Sequence, residues 1–430
     1  MADAGGAGRD LGPWPRRMVN PVRSYDWGST TALARLQRRP PSGGPEAELW
    51  MGAHPSAPSA LVGEDGTHLS LDEVVSGTPH VLLGDAVHGR FGPRLPFLLK
   101  VLAIAHPLSL QVHPDAERAR AAHAGEVEVL DGHRYVDPYP KPEMLYALER
   151  VDALCGFRSA ARAAELLTLV DGDLTPRIAA PLLACDGAAG SPSETQCLEE
   201  ALRVLVTWPG EDRRALTADV GRAARRVLAQ EARSAAPLSG DDRVALMWTA
   251  RLARLFPDDP LVAAPLLLDL VRLVPGETLF VPAGAPHAYL HGLGVEIMGS
   301  SDNVLRAGLT SKPVAVRELL HVVDGDSRPA RDVPEHRVSP HEVVWRPGAE
   351  EFQLSRVRLA GPAPVQAHPF VDGPQVVLCT SGRVLVRCSG GPLELGPGES
   401  AFVGAGSGPL VLAGHGEVFR AAAGPVPAGP

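Results

Sequence analysis

The sequence predicts a mainly β protein: two similar β-sandwich units, with an α-helical block inserted in the first. Two observations carry this. A ten-residue unit recurs, Pro275-Gly276-Glu277-x-x-Phe280-Val281-x-Ala283-Gly284 matching Pro397-Gly398-Glu399-x-x-Phe402-Val403-x-Ala405-Gly406. Repeated strand–turn units of this kind imply repeated sandwiches. The second observation is a change of hydrophobic period in mid-chain. Short apolar runs broken by Gly and Pro give way to 3.6-residue stripes and then return.

From Asn20 to about 155 the chain reads as strands, with PFLLKVLAIA and LSLQVHP the clearest. SAARAAELLTLV then opens a helix for which Ser159 is an N-cap. In TQCLEEALRVLV, Leu198, Ala201, Leu202 and Leu205 share a face at i, i+3, i+4 and i+7. ADVGRAARRVLAQEA and DDRVALMWTARLARLF extend this helical block over 158–256. LVRLVPGETLFVPAGAPHAYLHG restores β character, 321–345 reads as a polar linker, and 346–420 as a last β domain with Gly/Pro turns. Residues 1–18 and 421–430, rich in Gly, Ala and Pro, are expected to fray.

Composition narrows the function. At 430 residues with 45% apolar content, two or three domains with real cores are expected. A net charge of −9 without a long basic run argues against nucleic acid and anionic membranes as partners. No apolar run approaches a membrane span of about 18 residues. The start, MADAGGAGRDLGPWPRRMV, has no apolar stretch after its arginine pair, so no signal peptide is expected. Five cysteines (155, 185, 197, 379, 388), never spaced CxxC, fit a reduced cytoplasmic chain. A monomer is expected.

Only three lysines, Lys100, Lys141 and Lys312, stand against 38 arginines. Lysine is a compact point charge whose pKa falls readily on burial. Phosphate contacts and proton transfer both exploit this, and all three lysines lie in segments with other chemical features. In LSLQVHPD, Gln111 and His113 share a strand face. In YPKPEM, Lys141 and Glu143 have the same spacing around Pro142. In AGAPHAYLHG, His287, Tyr289 and His291 alternate onto one face. Bound together, Gln111, His113, Glu143 and His287 would make a mononuclear site for zinc or a similar divalent ion. Such a site, one negative charge against two positive, favours an anionic intermediate. Each piece alone is weak, since a lone QxH is more often structural. His287 aligns with Pro409 in the repeat, so one unit works and the other is a structural copy. Soon after His287, VEIMGSSDNVLRAGLTSK packs Glu296, Asp302, Asn303, Arg306 and Lys312 into one segment.

LSLQVHPD, YPKPEMLYAL and PHAYLHG with SDNVLRAGLTSK resemble the signatures of type I phosphomannose isomerases. YDWGS at 25–29, ELWMGAHP at 48–55 and LCGFR at 154–158 follow the same pattern in order. The resemblance covers roughly 20–320, and PGETLFVPAGAPH is similar to a cupin second motif, G-x5-P-x-G-x2-H. The implied fold is a cupin-type jelly-roll catalytic domain (19–157 plus 257–320), the helical domain (158–256), the linker (321–345) and a second cupin-like β domain (346–420). The implied reaction interconverts mannose 6-phosphate and fructose 6-phosphate through a zinc-stabilised cis-enediolate, with one zinc per chain. It supplies mannose 6-phosphate for GDP-mannose synthesis or feeds mannose into glycolysis. Carried over, the ligands are Gln111, His113, Glu143 and His287, and Arg306 is the active-site arginine. Lys141, Glu296 and Asp302 are unranked candidates for the base, a protonated Lys141 acting instead as an electrostatic clamp. Ser109, Lys100 and Lys312 are candidates for the phosphate, and Tyr289 for the sugar pocket. One departure is Pro140, where many members carry His before Lys-Pro-Glu, so no proton-transfer role can fall to that position. Two other readings compete. A non-enzymatic metal- and sugar-binding cupin would not need Arg306 and Lys312, and a fused nucleotidyltransferase would need a Gly-rich loop that is not visible.

Overall fold

A computed structural model describes residues 14–185, 191–231, 238–370 and 373–425. Residues 1–13 and 426–430 of the ends expected to fray lie outside these. The rest of those ends is tied down: Arg16–Val19 is a strand, and the strand Val411–Ala422 runs past 420. Arg16, Arg17 and Met18 pair with Phe402, Ala401 and Ser400, a ladder that satisfies their backbone.

The β regions form two large sheets. In the first, strands run in the order Thr278–Val281, Glu143–Ala147, His287–Gly299, Phe97–Ile104, Glu48–Met51. In the second the order is Ser400–Val403, Gln375–Arg387, Val411–Ala422, Gln353–Gln366, Glu342–Trp345. The same five-strand order recurs because the repeated motif recurs in structure. In each copy the Gly amide of Pro-Gly-Glu donates to a neighbouring strand, Gly276 to Ala147 O and Gly398 to Cys379 O. In each the Glu carboxylate accepts from the amide three residues back, at 2.8 Å for Glu277 and 2.7 Å for Glu399. Gly276, Gly284, Gly398 and Gly406 all take positive φ, 107°, 78°, 78° and 68°, which explains why glycine recurs there.

Alternation along strands divides core from site. Phe97, Leu99 and Val101 point into a core shared with Trp345, Phe402 and Phe419 of the second sheet, while Leu98, Lys100 and Leu102 face a cavity. The helices behave as their stripes predict. Ala160–Val170 starts where Ser159 accepts from the Arg162 amide, and Glu194–Val206 opens with a capping box from Ser193 and Gln196. They pack with Arg213–Glu231 and Gly240–Leu255 onto Leu110, Val112 and Leu154.

Two organisational expectations need correction. The 321–345 stretch is no bare linker: Ala330–Arg331 pairs with Leu279 and Phe280, and Glu335–Arg337 with Val343–Trp345. These strands are exposed edges, so their side chains are polar and give no apolar alternation. Assignment of all of 19–157 to the first unit also fails locally. Ala60–Val62 and His68–Ser70 join Arg16–Val19 at the edge of the second sheet. No described helix is long and apolar enough to cross a membrane.

Candidate active site and metal centre

Three adjacent strands align the candidate residues. His287 is opposite Gln111 on Leu110–Val112, and Gln111 is opposite Arg306 on Leu305–Gly308. Residues opposite one another project to the same face, so ligand, ligand and cation stand in a row. His113, two residues beyond Gln111, reaches the same place as Glu143 at the head of its own strand.

His113 Nε2 lies 3.0 Å from Glu143 Oε1, and His287 Nε2 lies 3.5 Å from Glu143 Oε2. The three side chains are at most 2% exposed, and their ligand atoms all lie within 4.8 Å of one another. His113 Nδ1 lies 2.9 Å from Asn303 O and His287 Nδ1 lies 3.0 Å from Ala285 O. Carbonyls only accept, so both Nδ1 atoms carry the proton and both Nε2 atoms present lone pairs to the carboxylate. Glu143 Oε2 and His287 Nε2 are buried without a hydrogen bond. A divalent cation satisfies such facing acceptors, and the donor set of imidazoles and carboxylate suits zinc. Burial, with Lys141 adding to it, pushes His113 down to about 3, which keeps the imidazole neutral as ligation requires. Burial alone would raise Glu143, but the Lys141 ammonium outweighs it and holds the carboxylate ionised. Lys141 Nζ donates to Glu143 Oε1 at 2.8 Å and lies 3.4 Å from His113 Nε2.

A cavity of about 590 Å³ opens above this group. Gln111, Lys141, Glu143, Ser109, Lys100, Tyr289, Glu296, Asp302, Arg306 and Lys312 all line it, with His113 and His287 buried behind them. The positions differ in character. Arg306 is half-buried, and its guanidinium makes no ion pair or hydrogen bond among the described residues. Lys312 is exposed at the mouth. Asp302 is 45% exposed and lies 3.4 Å from His54. Lys100, a phosphate candidate from sequence, is enclosed between Glu48 at 3.6 Å and Glu296 at 3.4 Å. Burial pulls its ammonium down, but these carboxylates outweigh burial and keep it charged. Glu296 is pushed by burial up to about 7, with Lys100 pulling the other way. Tyr289 is buried with its hydroxyl unpartnered. His291 does not share the face of His287 and Tyr289: a register shift after Tyr289 leaves it exposed.

Sequence reasoning gave no role to Glu48, Trp50 or His54, which also line the cavity. Glu48 and Trp50 stand two apart on one strand, the same spacing that exposed Gln111 and His113.

Comparison with known proteins places this geometry. Residues 16–160 match the family model "Phosphomannose isomerase type I, catalytic domain". The mannose-6-phosphate isomerase of Escherichia coli is 34% identical over 94% of this chain and 98% of its own length. A crystal structure of a phosphomannose isomerase mutant from Salmonella typhimurium superposes with a TM-score of 0.81 at 31% identity, covering 95% of this chain and 99% of that one. A mannose 6-phosphate isomerase crystallised with zinc and yttrium gives a TM-score of 0.79 at 31% identity, with the same coverage. With near full-length similarity, a buried His–Glu–His group and the motifs in order, the chain belongs to the type I phosphomannose isomerases, the mannose-6-phosphate isomerases.

Proposed function

We propose that the chain interconverts mannose 6-phosphate and fructose 6-phosphate through a cis-enediolate, with one zinc ion held by Gln111, His113, Glu143 and His287. The observation that carries this reading is the row His287–Gln111–Arg306, in which a buried ligand set stands beside a cation without a partner among the described residues. When bound by these residues, zinc would supply a Lewis acid to the site.

The side chains do the rest. Glu296 moves the proton between C1 and C2, because a carboxylate near neutrality is basic enough to take it and acidic enough to return it. Lys141 is engaged by Glu143, and Asp302 sits at the rim beside His54. Arg306 holds the oxyanion charge that develops during transfer. Lys141 acts as a clamp that keeps Glu143 ionised. Lys312 and Ser109 receive the phosphate at the mouth, leaving Lys100 to its carboxylates. Turnover in D2O tests the enediolate. Deuterium should enter the product at the carbon that accepts the proton, since a carboxylic acid exchanges with solvent. No label after many turnovers would point to direct hydride transfer and end this reading.

A further inference from the structure

Glu48 has no part in the chemistry above, yet it is buried beside it. The Trp50 indole N–H donates to Glu48 Oε2, and the Lys100 ammonium lies over the Trp50 ring at 4.8 Å, so one tryptophan holds both members of the Glu48–Lys100 pair.

The duplicated sheet shows what this glutamate does. Glu296 is opposite Leu145 and Lys100, Trp50 is opposite Lys100, and Glu48 is opposite Leu102. In the second sheet Arg420 is opposite Val377 and Ser355, Val344 is opposite Ser355, and Glu342 is opposite Val357. The matched registers place Arg420 where Glu296 stands, Ser355 where Lys100 stands, and Glu342 where Glu48 stands. Gln375 takes the place of Glu143, being opposite Val403 as Glu143 is opposite Val281. A smaller cavity of about 370 Å³ lies there, lined by Gln375, Pro409 and Arg420. The second copy has thus lost the ligand carboxylate, the ligand imidazole and the candidate base, but it keeps the glutamate. Glu342 pairs with Arg420, their side chains 0% and 1% exposed. The function common to both copies is counter-ion to a buried cation, which stands on the adjacent strand for Glu48 and Lys100 and one strand further away for Glu342 and Arg420. What the working copy adds is a second carboxylate, Glu296, on the same cation.

We propose that Glu48 is a positioning residue for the isomerisation, keeping Lys100 shared between the two carboxylates so that the ammonium does not close on Glu296 as an exclusive pair. This rests on the reading of Glu296 as the base. A lone ammonium against one buried carboxylate would stabilise its charge and weaken it as a base. Shared between two carboxylates, the same ammonium leaves Glu296 free to take the proton. The other charged groups facing Glu296 are Glu143 and Lys141, from the segment 141–147.

Glu48→Gln, assayed as zinc-loaded enzyme, keeps an acceptor for Trp50 but removes the charge. The acid limb of kcat against pH should move down by about one unit, and the kcat plateau above the limb should fall by at most about 10-fold, a weaker base being a slower one. KM and zinc content should stay as in the wild type. Glu48→Asp retains the charge and should leave the limb in place. An unmoved limb in Glu48→Gln, or an equal shift in Glu48→Asp, would overturn the proposal. Should Glu48→Gln not fold, the Glu48→Asp profile alone decides, a limb displaced by about a unit counting against it. Glu296→Gln separates the two readings. Loss of turnover there with an unmoved limb in Glu48→Gln removes only the role of Glu48, whereas retained turnover in Glu296→Gln removes the base itself.

Discussion

Asn303 is one of only two asparagines in the chain, and its removal should loosen the metal centre without touching a ligand. The residue is 1% exposed. Its Nδ2 donates to Asp137 O at 2.7 Å and Tyr139 O at 3.0 Å, and its Oδ1 accepts from the Val136 amide at 2.9 Å. Its own carbonyl takes the His113 Nδ1 proton. One side chain therefore fastens the approach to Lys141 and Glu143 to the residue that orients His113. Asn303→Ala removes three well-formed bonds at about 1 kcal/mol each, so unfolding of the metal-free protein in urea should show a loss of about 3 kcal/mol. Zinc affinity, measured by competition with a chromophoric chelator, should weaken about 10-fold, as expected when an outer partner of a ligand is displaced. A loss below about 1 kcal/mol with unchanged zinc affinity would refute the reasoning.

Other consequences follow from the same geometry. Arg306→Ala should lower kcat by a factor of about 10² to 10³ while zinc content by atomic absorption stays at the wild-type level; unaltered kcat would remove its role. Wild-type kcat should decline as pH falls through about 7, where Glu296 takes up its proton, and a flat profile down to pH 5 would exclude Glu296 as the base. Glu318 is fully buried and accepts from Arg118, from the Tyr135 hydroxyl at 2.6 Å and from the Leu130 amide at 2.9 Å. Burial alone would raise its pKa, but these bonds outweigh it and hold it below 4.5. Its contribution is therefore complete above about 4.5 and lost as pH falls through the lower folded value. Glu318→Gln should cost about 3 kcal/mol at pH 7, and the difference from wild type should shrink in acid; a difference independent of pH would contradict the sign.

The sequence spoke most clearly where one residue type had one physical reason to be present. The glycines of the repeated unit marked turns with positive φ, and Ser159 marked a helix start. Spacings of two placed Gln111 near His113 and Lys141 near Glu143, one member of each pair on a strand and the other in extended chain just beyond its end. The same rule misled at His291, where a register shift breaks the alternation. Partners on other strands were not legible: nothing local tells that Glu48 and Glu296 flank Lys100, since the contact exists only once the strands are in register. The short strands at 330–331 and 335–337 were hidden because exposed edges need no apolar face. Strand 16–19 joins the second sheet through residues as far apart as Arg16 and Phe402, a pairing that no local pattern encodes, and strands 60–62 and 68–70 are added onto its other edge.

Metal-dependent isomerisation of a phosphorylated sugar is measured by coupling fructose 6-phosphate formation from mannose 6-phosphate to a dye readout before and after chelation. Turnover is expected in the metallated protein, with its loss on chelation and its recovery on adding zinc. Turnover that survives complete removal of metal, or none in fully metallated protein, would contradict it.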